Sequence, residues 1–212
     1  NHFKGDSFTA IIAYRDNAAM MHYAPKTEGS AVIERSHFLL NDSGGQYLTG
    51  TTDTTRTFAM GELTYEEKHL YTAVCRGNLH LAHARFLHGC TGLNLDILCR
   101  EPMWKLGLDF KHGTGHGVGY ILNVHEGPNA FRWKQSPSLS NAVLEPGMVT
   151  TDEPGLYLEG KFGIRTENLM LCVKDVKNEF GQFMKFENLT WVPIDLDTID
   201  VSLMEARDRE LL

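Results

Sequence analysis

The chain has 212 residues and a formal net charge of −7, and 42% of its residues are hydrophobic. This length permits one globular domain with a sizeable core, and an acidic chain without a basic stripe is not expected to have nucleic acid as its main partner. The sequence contains no apolar run of membrane length, which argues against a membrane-embedded protein.

The apolar segments of the chain predict strands and helices in a mixed order. We expect strands in SFTAIIAY (7–14), HFLLND (37–42), FGIRTENLMLCV (162–173) and FMKFENLTWVPI (183–194). Thr64 and Glu67 form a capping box that predicts a helix running to about Gly89. A second helix is predicted from about Asn94 to Lys105, with Pro102 either kinking it or ending it early. Together these elements predict an α+β fold.

Two segments of the chain have the same order of residue types. An apolar run enters an acid, followed by a glycine, a tyrosine, a second glycine and a second acid. The series are Asp42, Gly44, Tyr47, Gly50 and Asp53, and Glu153, Gly155, Tyr157, Gly160 and Glu167. Each copy predicts a hairpin with one acid on each strand, and two such hairpins facing each other would form a cage of four carboxylates. The alternative is two ordinary turns with solvated acids.

A glycine-rich segment, KHGTGHGVGYILNVHEGP, carries His112, His116 and His125. Its alternating glycines let backbone and imidazoles come close to a ligand or a metal ion. The spacing does not match the dinucleotide-binding GxGxxG pattern. We interpret the remaining central histidines as packing or surface residues, namely His37, His69, His80, His83 and His88.

Four carboxylates and one imidazole have the composition of a site for two divalent metal ions. Without cations, carboxylates gathered in a fold interior would repel one another and become protonated. Two metal ions can share a water molecule, lower its pKa and polarise a carbonyl, so a bridging hydroxide would be the nucleophile. Such oxygen-rich ligands suit Mn²⁺, Co²⁺ or Zn²⁺, and the oxygen content favours Mn²⁺.

These five residues and their local strings resemble the ligand set of the pita-bread metallopeptidases, which include methionine aminopeptidases, prolidases and aminopeptidases P. The resemblance covers nearly the whole chain and implies a pseudo-two-fold antiparallel sheet covered by helices. It also implies that Asp53 and Glu167 bridge two metal ions, that Asp42 binds one of them, and that His116 and Glu153 bind the other.

The additional histidines resemble those of the members that act next to proline. His112 precedes the GHG step, His22 lies in an HY string and His125 in an HE string. The long interval from His116 to His125 and the short one from Glu153 to Glu167 resemble the multidomain type of aminopeptidase P. The resemblance therefore favours an Xaa-Pro aminopeptidase, acting on peptides with proline in second position, over a prolidase.

The resemblance also implies roles for residues around the metals. Glu153 would pass a proton towards the leaving amine, and His112 and His125 would donate to the tetrahedral intermediate or hold the substrate backbone. Arg165 shares an extended-strand face with Glu167 and could keep Asp42 ionised. The alternatives are that Arg165 is a surface partner of nearby acids and His22 a simple hairpin residue.

The proline ring is expected to contact His22, Tyr23 and His125, by position in the resemblance. One departure from the family pattern is Phe8, at a position where some members have a tyrosine. Its missing hydroxyl removes one possible member of the proton path.

The resemblance gives further expectations for the whole protein. Residues 1–212 would be a metallopeptidase catalytic domain lacking one or more amino-terminal domains and its own extreme ends, and a homodimer in the full-length protein. Four cysteines without CxxC spacing predict reduced thiols in a cytoplasmic protein. A competing class keeps this fold without metals, as a peptide-binding module or a metal-free hydrolase, but such proteins replace one or more of the acids.

Overall fold

A computed structural model of the chain describes residues 2–135 and 141–212. The elements in these ranges are β1 (Phe3–Asp6), β2 (Ile11–Tyr14), β3 (Phe38–Ser43), β4 (Gly45–Tyr47), β5 (Gly50–Thr51), β6 (Thr54–Ala59), α1 (Tyr65–Ala82), β7 (Arg85–Leu87), α2 (Gly92–Trp104), β8 (Gly115–Val118), β9 (His125–Phe131), β10 (Val149–Asp152), β11 (Gly155–Leu158), β12 (Phe162–Arg165), β13 (Asn168–Asn178), β14 (Gly181–Asn188) and α3 (Ala206–Leu211). Short 3-10 helices span Arg15–Ala19, Leu196–Thr198 and Val201–Leu203.

The strands form antiparallel sheets that divide between the two halves of the chain. The first half supplies a sheet of order β2-β3-β6 and another of order β1-β4-β5. The largest sheet, of order β7-β14-β13-β10-β8-β9, is drawn mainly from the second half, and β11 pairs with β12 alone. The mixture of antiparallel sheets and helices confirms the predicted α+β class.

The internal repeat is present, with a different arrangement of strands from the predicted one. In the first copy β3 pairs with β6, and β4 with β5 between them; in the second, β10 pairs with β13, and β11 with β12 between them. Each copy is therefore an outer strand pair enclosing an inner hairpin. The acids lie on or beside the outer pair, so the prediction of one acid on each strand of a single hairpin was wrong.

The predicted capping box and start of the first helix are confirmed, and its end needs correction. Thr64 Oγ1 accepts from the Glu67 amide, and Glu67 Oε2 accepts from the Thr64 amide. The first helix ends at Ala82 rather than near Gly89, because the following residues form β7 and pair with the edge of the largest sheet. The second helix begins at Gly92, two residues before the predicted start, and ends at Trp104, within one residue of the predicted end and two residues beyond Pro102.

Three of the predicted strands are shorter than the apolar segments that suggested them. The first begins only at Ile11, and the last ends at Asn188, before the remaining apolar residues. The segment 162–173 divides into β12 and β13. Thr166 and Glu167 lie in this break, so Glu167 lies directly before β13 instead of within a strand.

The two long helices cover the sheets through separate apolar clusters. Phe38, Phe162 and Ile164 pack with the first half of α1, over β3 and the inner hairpin of the second copy. Met170, Met184 and Phe186 of the largest sheet pack with the end of α1 and with α2. At about 25 cal/mol per Å² of apolar surface, this burial is the main force that holds the helices against the strands of the site.

Candidate metal centre

Four carboxylates meet at the junction of the two repeat copies. Asp42 lies near the end of β3, and Asp53 stands directly before β6. Glu153 follows β10, and Glu167 precedes β13. Asp42, Asp53 and Glu167 each offer an oxygen, and these oxygens lie within 4.8 Å of one another. Each half of the chain thus contributes two acids to one cluster.

His116 in β8 adds an imidazole to the carboxylates. Its Nε2 lies 3.3 Å from Glu153 Oε1 and 3.5 Å from Asp53 Oδ2. Gly115 makes this approach possible, because a Cβ at that position would lie 2.0 Å from the Thr151 carbonyl oxygen of the neighbouring β10. The structure therefore brings together all five residues that the sequence predicted as ligands.

Burial makes the ionised cluster unfavourable without a counter-charge. Burial and three neighbouring acids raise the pKa of Glu167 well above its ordinary value. Burial raises the pKa of Glu153 to about 7, although His116 and Arg165 oppose this. Burial alone would lower the pKa of His116, but the carboxylates of Asp53 and Glu153 outweigh it, and the pKa is raised. Divalent cations would relieve this repulsion.

Three buried atoms of the cluster have no hydrogen-bond partner in the part of the chain that the structure describes: Asp42 Oδ1, His116 Nε2 and Glu167 Oε1. The His116 Nδ1 lies 2.9 Å from the Gly117 carbonyl oxygen and donates to it, so in the neutral ring Nε2 presents its lone pair to the acids. Buried polar atoms are normally paired. These two carboxylate oxygens and one imidazole nitrogen, which lack hydrogen-bond partners, are suitable ligands for divalent metal ions.

Arg165 lies beside Asp42 and is 4% exposed. Its Nη2 donates to Asp42 Oδ2 at 2.6 Å, and its Nε donates to Thr55 Oγ1 at 3.2 Å. Burial raises the pKa of Asp42, and the guanidinium opposes that rise. The structure thus places Arg165 with the acid that the sequence suggested, and not on the surface.

A tyrosine hydroxyl joins Arg165 to His112. Arg165 Nη1 donates to the Tyr157 hydroxyl at 2.9 Å, and that hydroxyl lies 2.9 Å from His112 Nε2. His112 Nδ1 lies 2.7 Å from the Gly113 carbonyl, so Nδ1 carries the proton and Nε2 accepts from Tyr157. Burial is the main cause that lowers the pKa of His112 to about 4, which favours this neutral form.

This hydrogen bonding changes the role expected for His112. Both ring nitrogens are engaged with the protein, so neither is free to donate to a substrate in this geometry. His112 instead orients the Tyr157 hydroxyl, and through it the guanidinium of Arg165.

The cluster lies at the floor of a cleft of about 520 Å³. His22, Tyr23, His125 and Phe8 all line this cleft. The His125 ring packs against that of His116, with their centroids 4.1 Å apart. One of its nitrogens lies within 4.8 Å of ligand atoms of Asp53 and His116. The structure thus brings the expected proline-contacting residues to the lining of the same cleft as the acids.

Sequence reasoning missed three residues at the site. Tyr157 was noticed only as the aromatic member of the repeat. Thr55, whose Oγ1 donates to Glu167 Oε2 at 2.8 Å, gave no signal beyond its place in a threonine-rich strand. Arg132 lines the cleft immediately after β9. The alternation along β11 could have indicated Tyr157, since Tyr157 and Gly155 share one strand face and Gly155 pairs with Arg165.

Residues 1–174 match the model of metallopeptidase family M24, and residues 182–212 match the model of the C-terminal region of these peptidases. The chain belongs to metallopeptidase family M24. Among the solved M24 structures, the X-prolyl aminopeptidase of Caenorhabditis elegans, described as a cytosolic enzyme with a di-nuclear active site, superposes with a TM-score of 0.91 at 40% identity, covering 98% of this chain and 34% of that one. The prolidase of Pyrococcus furiosus gives a TM-score of 0.75 at 28% identity, covering 90% of this chain and 51% of that one. The fold of this M24 chain is the pita-bread fold.

The curated relatives of this M24 chain are named as aminopeptidases P. Aminopeptidase P1 of Arabidopsis thaliana is 47% identical over 215 aligned residues, which cover 100% of this chain and 33% of the relative. A probable Xaa-Pro aminopeptidase P of Laccaria bicolor is 44% identical, over 99% of this chain and 33% of that protein. The chain thus spans about a third of the length of these relatives. Within the ranges that the structure covers, its helices are too short or too polar to cross a bilayer.

Proposed function

We propose that this chain carries the catalytic site of a dinuclear-metal Xaa-Pro aminopeptidase, which removes an N-terminal residue that precedes proline. The observation that carries the proposal is the buried cluster of Asp42, Asp53, His116, Glu153 and Glu167, whose unpartnered atoms open into a histidine-lined cleft. The names of the relatives and of the C. elegans structure support the same reaction.

The donor set fits two divalent ions. Asp53 and Glu167 would be shared between them, Asp42 would bind one, and His116 and Glu153 the other. Two such ions would activate a water molecule at neutral pH and polarise the scissile carbonyl. Manganese is our choice because four of the five ligands are carboxylates, with zinc and cobalt as the alternatives.

Glu153 is the proton carrier in this proposal. Its carboxylate accepts from Thr151 Oγ1 at 3.2 Å, and in the metal-free protein burial raises its pKa to about 7. A carboxylate at the cluster could take up the proton released by the attacking water and pass it to the leaving proline nitrogen.

Arg165 and Tyr157 hold the ligand geometry. The guanidinium donates to Asp42, Thr55 and the Tyr157 hydroxyl, so it favours the ionised form of Asp42 and fixes its free oxygen in the cluster. Preorganised side chains of this kind raise rates by holding reacting groups in position.

The cleft suits a proline in the second position of the peptide. An Xaa-Pro bond has no N–H and carries a locked ring, so a site that grips the P1′ amide by a hydrogen bond handles it poorly. His22, Tyr23 and His125 offer flat ring surfaces beside the cluster that can hold the ring by shape.

The test is hydrolysis of an Xaa-Pro dipeptide and an Xaa-Pro-Xaa tripeptide by the manganese-loaded protein, with a chelator as control. Chelator-sensitive cleavage that prefers the tripeptide is the expected result. A preference for the dipeptide would assign the protein as a prolidase, an alternative supported by the similarity to the P. furiosus structure. Failure to bind metal would support the metal-free peptide-binding module instead.

The proposal extends to the protein in the cell. We infer that residues 1–212 form the catalytic domain of a longer, homodimeric and cytosolic enzyme, as the C. elegans structure is described as cytosolic. Cys75, Cys99 and Cys172 are buried free thiols, which fits a reducing compartment. Light scattering on the full-length protein and imaging of a tagged copy test these points, and a monomer or a secretory location would contradict them.

A further inference from the structure

A buried arginine outside the cleft contacts the segment that carries His112. Arg100 of α2 is 1% exposed. Its Nη2 donates to the His112 carbonyl oxygen at 2.8 Å, and its Nη1 donates to the Phe110 carbonyl oxygen at 2.7 Å. Nη1 also donates to Asp109 Oδ1 at 2.7 Å. One guanidinium therefore fixes both ends of the short stretch leading to His112.

The same guanidinium also orders the His112 ring by stacking. Its central carbon lies 3.8 Å from the centroid of the Phe110 ring. The Phe110 and His112 rings are next to each other, with centroids 4.8 Å apart and planes at 40°. The Phe110 ring thus contacts both the guanidinium and the imidazole and links their positions.

The acid that pairs with Arg100 holds the next part of the loop. Asp96 Oδ2 accepts from Arg100 Nε at 2.7 Å, and Asp96 Oδ1 accepts from Thr114 Oγ1 at 2.6 Å. The Thr114 carbonyl in turn accepts from the Glu153 amide at 2.7 Å. The Asp96–Arg100 pair on α2 therefore supports the segment that carries His112 and, through Thr114, the backbone of Glu153.

We propose that Arg100 is a positioning residue for the active site, holding His112 so that its Nε2 meets the Tyr157 hydroxyl and, through it, Arg165 and Asp42. The proposal rests on the proposed function, because His112 and Tyr157 matter only if the cluster is catalytic. Only a guanidinium supplies the fork that reaches these acceptors together; a lysine ammonium keeps the charge but loses that geometry.

A double-mutant cycle separates positioning from simple packing of α2. Arg100→Lys is expected to lower kcat/KM towards an Xaa-Pro tripeptide about tenfold or more, mainly through kcat. In a His112→Gln background the same change should cost several-fold less than in the wild type, because only the path through Asp96, Thr114 and the Glu153 amide remains. Arg76→Lys is the matched control, since Arg76 pairs with Asp208 and Glu205 between α1 and α3, away from the cleft.

A second readout does not depend on activity. Arg100→Lys should move the ring NMR signal of His112 in the chelator-treated protein, while Arg76→Lys should leave it unchanged. If Arg100→Lys does not fold, Phe110→Leu serves in its place, because it removes the ring that contacts both the guanidinium and the imidazole. It is expected to lower kcat/KM and to move the His112 NMR signal in the same way.

Additive effects of the Arg100 and His112 substitutions, or an unmoved His112 signal, would overturn the proposal. If the wild-type protein cleaves no Xaa-Pro peptide, the proposed function fails, and the NMR comparison alone then decides the role of Arg100.

Discussion

The Asp42 carboxylate and the Arg165 guanidinium form a buried pair across the junction of the two repeat copies, with Oδ2 and Nη2 2.6 Å apart. One partner comes from β3 and the other from β12. The pair satisfies one oxygen of Asp42 and leaves the other without a partner among the described residues. The pair therefore favours the ionised form of the Asp42 carboxylate and fixes its orientation, and we propose that this carboxylate binds metal.

Arg165→Lys should lower the affinity of the site for Mn²⁺ by about 10- to 100-fold, as is typical when the partner of a metal ligand is lost. A lysine cannot donate to Asp42, Thr55 and Tyr157 together. Calorimetric titration of the metal-free protein measures this. Arg85→Lys, which alters the ion pair of an exposed arginine with Asp175, serves as control. Equal affinities in both variants would contradict the role of Arg165.

Tyr157→Phe should lower kcat about tenfold and the free energy of unfolding by about 1 to 2 kcal/mol. The loss leaves His112 Nε2 and Arg165 Nη1 without this buried partner, which is the costly way to break a hydrogen bond. Steady-state kinetics and urea denaturation measure the two effects. Tyr65→Phe, which removes the hydroxyl of an exposed tyrosine near His69, should change neither.

The neutral state of His112 predicts a pH dependence of stability in the metal-free protein. Burial lowers its pKa to about 4, from 6.5 in the unfolded chain. Between these values the unfolded state binds a proton that the folded state does not, so stability falls as pH drops through this window and recovers above it. The contribution of His112 is at most about 3 kcal/mol.

Urea denaturation of the wild type and of His112→Gln from pH 7 to pH 4 measures this contribution. The variant should lose less stability on acidification than the wild type. His69→Gln, at a surface position on α1, should follow the wild type. Parallel curves for the wild type and His112→Gln would mean that His112 is not held neutral.

Glu153→Ala should abolish turnover, because it removes a metal ligand and the proposed proton carrier together. Hydrolysis of an Xaa-Pro tripeptide at saturating Mn²⁺ measures the loss. Glu145→Ala, in an exposed pair with His88, should leave turnover unchanged. Activity near the wild-type level in Glu153→Ala would rule out the assigned site.

Bound metal should stabilise the folded protein as well as activate the enzyme. At a free Mn²⁺ concentration of 100 times Kd, one site adds about 2.7 kcal/mol to the free energy of unfolding. A thermal melt with and without chelator measures this as a rise in Tm. Glu167→Gln should remove most of the rise. A melt of the wild type that is insensitive to Mn²⁺ would show that the cluster binds no metal under these conditions.

The sequence predicted the members of the site better than the strands that carry them. Each of the five proposed ligand residues lies within four residues of a glycine, and this signal is local. The extent of α1 was wrong because β7 is formed by pairing with β14, which is distant in the chain. Local periodicity contains no information about that partner.

Tyr157 and Arg100 illustrate the second limit. Tyr157 acts through hydrogen bonds to Arg165 on β12 and to His112 in the loop before β8, and the pattern of β11 alone gives only its face. The Arg100 side chain reaches carbonyl oxygens of a loop, and backbone acceptors have no signature in the sequence. Such contacts emerge only when the helix and the loop are seen together.

The division of the ligands between the two repeat copies has a consequence for folding kinetics. The acids are spread from residue 42 to residue 167, and a cage exists only after both copies have docked. Contacts so distant in sequence form late, because closing long loops is entropically unfavourable. Metal ions should therefore leave the refolding rate almost unchanged and slow unfolding, so that the holoenzyme is protected by a higher barrier to opening.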